Sequence, residues 1–166
     1  MYYTHTEDFV KQLYTKIGIT SPEGLDYRII AHALGIEVYL WPKRSMALFY
    51  NRLPYIMLHD QQSKAQLWQD FCHELCHVLL HAGDQNHASA DWIKYQERKA
   101  NYFMRHAAVP TYMLETCKEL SVSYVTEQFC VEPHLAEHRI NEYVHNKRFR
   151  HGVLDWNGRH TGAMKE

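Results

Sequence analysis

His73, Glu74 and His77 stand in the stretch DFCHELCHVLLH, residues 70–81, and make the pattern His-Glu-x-x-His. On an α-helix, residues four apart sit one turn apart and about 40° round from one another. His73 and His77 can therefore bring a ring nitrogen each to about 2 Å from a single divalent ion. Glu74 points about 100° round from His73. That is awkward for ligating the same ion but within reach of a water the ion carries, which is the geometry a general base needs. Leu67, Phe71, Leu75, Val78, Leu79 and Ala82 fall roughly 120° to 240° round, on the opposite side. The helix thus has an apolar back for a core and two imidazoles facing away from it.

The chain holds 13 histidines in 166 residues. At its own His and Glu frequencies the pentapeptide arises by chance roughly once in fourteen such chains, so the surroundings must add weight. A catalytic zinc takes three protein ligands and keeps a fourth position open. His81 lies about 12 Å along the axis from His73, too far for one ion to bind both. Leu80 stands where a metzincin needs a glycine. Cys72 and Cys76 lie on the other flank, and two thiolates beside two imidazoles would close the shell and make the site structural. Glu97, twenty residues after His77, is the better third ligand. Asn101, one turn later, can hydrogen-bond a ligand imidazole and fix its orientation. Two histidines and a glutamate form the ligand set of zinc peptidases, so Zn2+ is the expected cofactor.

The elements that must position these residues follow from periodicity. Residues 7–17 and 22–34 read as helices, the second with Ser21 as cap and Gly35 as stop. Residues 36–41, 46–50 and 55–59 are short, aromatic and β-branched, and read as an antiparallel meander. The strand at 55–59 directly precedes the metal helix; as a sheet edge it would align an extended peptide by backbone pairing. Helices are expected at 65–82, at 92–107 with Asp91 as cap, at 111–120, from Ser121, and from Pro133 to about 144. The fold class is therefore α+β: mainly helical, with a small three-stranded antiparallel sheet.

Length allows one domain, residues 1–145, followed by a basic, Gly-punctuated tail at 146–166. A net charge of −1 creates no global field to recruit nucleic acid or acidic membranes. The N-terminal stretch MYYTHTEDFV lacks the pattern of a signal peptide, and no apolar run approaches a bilayer span. The expectation is a cytoplasmic protein with no membrane association, its four cysteines free thiols. Cys72, Cys117 and Cys130 are expected to be small buried hydrophobes. Residues 121–145 look like a helix-turn-helix, but Glu127, Glu132, Glu137 and Glu142 oppose phosphate contact. Packing or substrate docking is favoured there over DNA reading.

These features resemble the ImmA/IrrE metallopeptidases, a cytosolic group of gluzincin type. The resemblance rests on FCHELCHVLLH, on ERKANYFMRHAAVP and on TEQFCVEPHLAEHRI, and spans roughly residues 21–143. It implies a zincin-like core with helix-turn-helix-like C-terminal helices, His73, His77 and Glu97 as zinc ligands, and Glu74 as base. Cys76 departs from it, because members often carry Gly there. The resemblance also implies the partner: a helix-turn-helix repressor of a phage or integrative element, cleaved by the enzyme. Tyr102, His106 and His138 are candidate oxyanion donors. The rival reading is a non-proteolytic metal-containing regulator that binds a repressor or DNA.

Overall fold

The computed structural model describes residues 3–80 and 89–150, with side chains described through residue 147. Thr4 caps the first helix, α1 (His5–Lys16). Its hydroxyl accepts from the Glu7 N–H at 3.3 Å, and the Glu7 carboxylate accepts from the Thr4 N–H at 2.6 Å, so two otherwise orphaned donors are satisfied reciprocally. The single long helix expected after Ser21 is instead a 3-10 turn, Pro22–Gly24, followed by α2 (Tyr27–Leu34). Ser21 makes no side-chain cap bond, whereas the Asp26 carboxylate accepts from the Arg28 N–H at 2.7 Å and starts the helix afresh. Gly35, at φ +68°, ends it in the left-handed conformation.

The sheet contains β1 (Glu37–Trp41), β2 (Met46–Tyr50) and β3 (Leu53–His59). It is mixed, which corrects the antiparallel meander read from the sequence. β3 lies in the centre, antiparallel to β2 and parallel to β1, with Ile56 opposite both Ala47 and Val38. Burial explains the order. Ile56 and Leu58 are fully buried, so β3 belongs between two neighbours, and strands consecutive in sequence are not always neighbours in the sheet. β2 and β3 form a hairpin through Asn51 and Arg52, both at positive φ (50° and 65°), as a two-residue turn matched to strand twist requires. The free edges are therefore β1 and β2, and β3 is not the edge that the sequence suggested.

After the sheet come α3 (Lys64–Leu80) and α4 (Ala90–Ala108). Ser63 and Gln66 bond each other's backbone N–H groups at the start of α3. Ser89, rather than Asp91, caps α4 by accepting from the Trp92 N–H at 3.3 Å. α3 buries Trp68, Phe71, Leu75 and Val78; α4 buries Ala100, Phe103 and Ala107, and the two helices pack against each other. α5 (Thr111–Leu114) is only one turn long. The Thr116 hydroxyl donates to the Met113 carbonyl at 2.8 Å, a local bond that competes with continuing the helix expected to 120.

α6 (Val122–Phe129) and α7 (Pro133–Arg150) form the helix-turn-helix-like unit. Cys130 ends α6 at φ +51° and is exposed rather than buried. α7 runs past residue 144, so the first residues of the expected tail continue it. The remainder of that tail lies outside the described residues, as do His81 and His87. No helix among the described residues is long and apolar enough to cross a membrane.

A buried polar network ties the C-terminal helix to the rest. Arg139, 1% exposed, donates from Nε and Nη2 to the Val109 carbonyl at 3.2 and 3.1 Å. It also donates to Thr111 Oγ1 at 3.0 Å and to Glu142 Oε2 at 2.7 Å. Thr111 donates in turn to Glu7 at 2.7 Å, so α1, α4, α5 and α7 meet at one guanidinium. Burial alone would raise the Glu142 carboxyl, but His106 and Arg139 outweigh it and hold it at about 2. Arg139 is the stronger partner, since His106 Nε2 stands 3.5 Å away, at the far limit of hydrogen bonding.

Removing Arg139 would take the guanidinium from the half-buried Glu142 carboxylate and leave the buried Val109 carbonyl and Thr111 hydroxyl without that donor, so Arg139→Met is expected to cost about 3 kcal/mol in chemical denaturation. Glu142 titrates near 2 in the fold against 4.5 when free. The stability it contributes is therefore full above about 4.5 and is lost as pH falls toward 2. Unfolding free energy measured across that window should fall with decreasing pH in the parent and more shallowly in the variant.

Candidate metal centre

His73 and His77 leave α3 on the side away from its buried back, and Glu97 reaches them from the second turn of α4. His73 Nε2 lies 3.2 Å from His77 Nε2. Glu97 Oε2 is 3.3 Å from His73 Nε2, and Glu97 Oε1 is 3.4 Å from His77 Nε2. Ligand atoms about 2.0–2.1 Å from a tetrahedral ion stand about 3.3 Å from one another. The separation of the two ring nitrogens matches one edge of such a tetrahedron, and Glu97 turns one oxygen toward each ring, so the three side chains converge within reach of a single ion. The imidazoles are largely buried, at 17% and 11% side-chain exposure, while Glu97 is 40% exposed. The site therefore opens along the Glu97 side. Among the described residues, these three form the cluster of ligand-type side chains able to hold an ion.

The cysteines stay out of it. Cys76 is fully buried, and burial pushes its thiol up to about 12. Cys72 is fully buried too; burial raises it well above the ordinary range, against a hydrogen bond with Tyr14 that lowers it. Both thiols remain protonated in the apolar back of α3 and are not poised as thiolate ligands.

Glu74 is almost fully buried, and burial pushes its carboxyl up to about 7. A hydrogen bond from the Ala47 backbone and the charge of Arg44 draw it down, while Asp70 and Glu97 push it further up. A cation between the imidazoles would add to the downward pull. Ala47 lies on β2, an outer strand of the sheet paired on one side with β3, so Glu74 sits close to that strand.

Asn101 is exposed, and its carbonyl accepts from Arg105 at 3.3 Å. No hydrogen bond joins its amide to either ligand ring in this arrangement. Of the candidate oxyanion donors, His106 is buried against Glu142 and the Tyr102 ring, whose centroid is 4.5 Å away, and His138 is exposed on α7. Two groups near Glu74 escaped the sequence reading, Asp70 and the Ala47 N–H. Asp70 had a signal, because it stands one turn before Glu74 on the same helix. The backbone N–H had none.

The mainly helical fold with two helix-borne imidazoles and a facing carboxylate fits a metallopeptidase-type enzyme, the class that the family match supports. The chain belongs to the Peptidase_M78 family: the family model, described as the IrrE N-terminal-like domain, matches residues 31–141. It is 36% identical over 145 residues to YqaB of Bacillus subtilis strain 168, covering 84% of each chain. It is also 36% identical over 151 residues to the phage-like element PBSX protein XkdA of the same strain, covering 88% of this chain and 76% of XkdA. In three dimensions it resembles a Mycobacterium tuberculosis transcriptional regulator, with a TM-score of 0.59 at 15% identity. That likeness concerns fold alone; it covers 82% of this chain and 47% of the regulator.

If the cluster holds an ion, Glu97→Ala and His77→Ala should each weaken divalent-metal affinity by at least about tenfold. Both should also abolish the rise in melting temperature that added metal gives the parent. Elemental analysis after dialysis and thermal melts check this. Undiminished metal in Glu97→Ala contradicts the site.

Proposed function

We propose that this protein is a cytoplasmic, zinc-dependent endopeptidase that hydrolyses one peptide bond in a helix-turn-helix transcriptional repressor and so relieves repression of a phage or mobile element. The observation that carries the catalytic half is the convergence of His73, His77 and Glu97 within reach of one ion. Membership of a peptidase family and the phage-like element named for XkdA support the regulatory half.

Bound zinc supplies a Lewis acid that polarises a carbonyl and acidifies water. The chain's own groups do the rest. Glu74, as carboxylate, takes a proton from water as its oxygen bonds to the scissile carbonyl carbon. The same carboxyl then returns that proton to the amide nitrogen as the C–N bond breaks, leaving a carboxylate and an amine. A carboxyl brought near neutrality by burial is suited to both transfers. The free edge of β2, directly above Glu74, offers backbone groups to an extended peptide and holds it across the base.

Incubation of the zinc-loaded protein with the repressor encoded beside its gene should yield a single cut that a chelator suppresses. Glu74→Gln should retain zinc and lose at least about a hundredfold in rate. A Glu74→Gln protein that still cuts removes the base assignment. Zinc-dependent binding of the repressor without any cut supports the regulator reading in its place.

A further inference from the structure

Resting on the peptidase reading, we propose that Asp70 is a positioning residue: through Ser45 it clamps the start of β2 onto α3 and so fixes the edge along which a substrate peptide lies. Asp70 Oδ2 accepts a short hydrogen bond from Ser45 Oγ and a second from Gln62 Nε2 at 3.1 Å. Ser45 Oγ accepts from the His59 N–H at 3.1 Å. One carboxylate oxygen thus ties α3 to the turn before β2 and to the β3–α3 connection, and the Ser45 hydroxyl extends the link to the end of β3. Ser45 itself is buried, at 7% exposure.

The spacing gives the clamp its purpose. Asp70 and Glu74 are four residues apart on a helix, about 6 Å along its axis. Ser45 and Ala47 are two residues apart at the start of β2, about 6.6 Å along a strand. The two intervals nearly coincide, so with Asp70 bonded to Ser45 the Ala47 position of β2 comes level with Glu74. The Ser45 hydroxyl bonds Asp70 on α3 and accepts from His59 at the end of β3, so the entry to β2 is tied to two elements at once rather than to one about which it could pivot. Charge plays no part in this role. What the clamp needs is an oxygen that accepts from both Ser45 and Gln62, which an amide also provides.

The test uses the zinc-loaded full chain and two readouts. The first is amide hydrogen exchange at His59 and residues 46–48, with Leu75 in the core of α3 as control. The second is KM and kcat on a quenched-fluorescent peptide drawn from a library by cleavage with the parent protein. Asp70→Ala and Ser45→Ala should each speed exchange at the strand amides by about tenfold, leaving Leu75 unchanged. Each should raise KM several-fold with a smaller change in kcat, and the double variant should be no worse than either single one. Asp70→Asn should restore behaviour close to the parent. Unchanged strand exchange in Asp70→Ala, equal acceleration at Leu75, additive effects in the double variant, or an Asp70→Asn protein that behaves like Asp70→Ala would each overturn the clamp. If the parent cuts no peptide, the peptidase reading fails, and the exchange measurement still decides the clamp.

Discussion

The whole arrangement depends on how closely α3 and α4 approach. Two imidazoles on one helix form only half a site; the third ligand must arrive from a separate helix and stop within about 3.4 Å of both rings. Ala100, buried one turn after the start of that contact, presents little more than backbone and allows the approach. α4 is also held at its far end. Arg139 fastens the Val109 carbonyl at the C-terminus of the helix to α7 and, through Thr111 and Glu7, to α1. Glu97 is thus carried on a rigid rod anchored away from the solvent-facing site.

The same helix α3 serves three surfaces at once. Its back fills the core with Trp68, Phe71 and Leu75, its front supplies the metal-type ligands, and its flank carries Asp70 and Glu74 beneath β2. This division explains why Cys76 stands so near the histidines without joining them. It is fully buried, where a thiolate is unfavourable. It also explains why Glu74 is almost fully buried, with the Ala47 backbone favouring its charged form.

Much of this was legible in the sequence, for identifiable reasons. The helix at 64–80 and its polarity follow from the 3.6-residue period, and Glu97 follows from the need for a third ligand one helix later. The helix-turn-helix-like unit follows from the break at Val131-Glu132-Pro133. Strand existence was readable, but strand order was not. Period-two patterning says which face of a strand is buried and nothing about which strand lies between the others. That placed the edge wrongly at β3, which lies between β1 and β2. The buried Arg139 was equally opaque. A lone basic residue among glutamates reads as surface, and only tertiary contacts reveal that it binds a carbonyl, a hydroxyl and Glu142 at once. Asn101 shows the limit of helical spacing as an argument, because one turn after a ligand can still be an exposed rim.

The central claim is the shared ion, and zinc K-edge absorption on the purified protein tests it most directly. The account predicts a four-coordinate zinc with a first shell of nitrogen and oxygen only, at about 2.0–2.1 Å, including two imidazoles. A sulfur neighbour at about 2.3 Å, or a protein that holds no zinc after loading and dialysis, would contradict it.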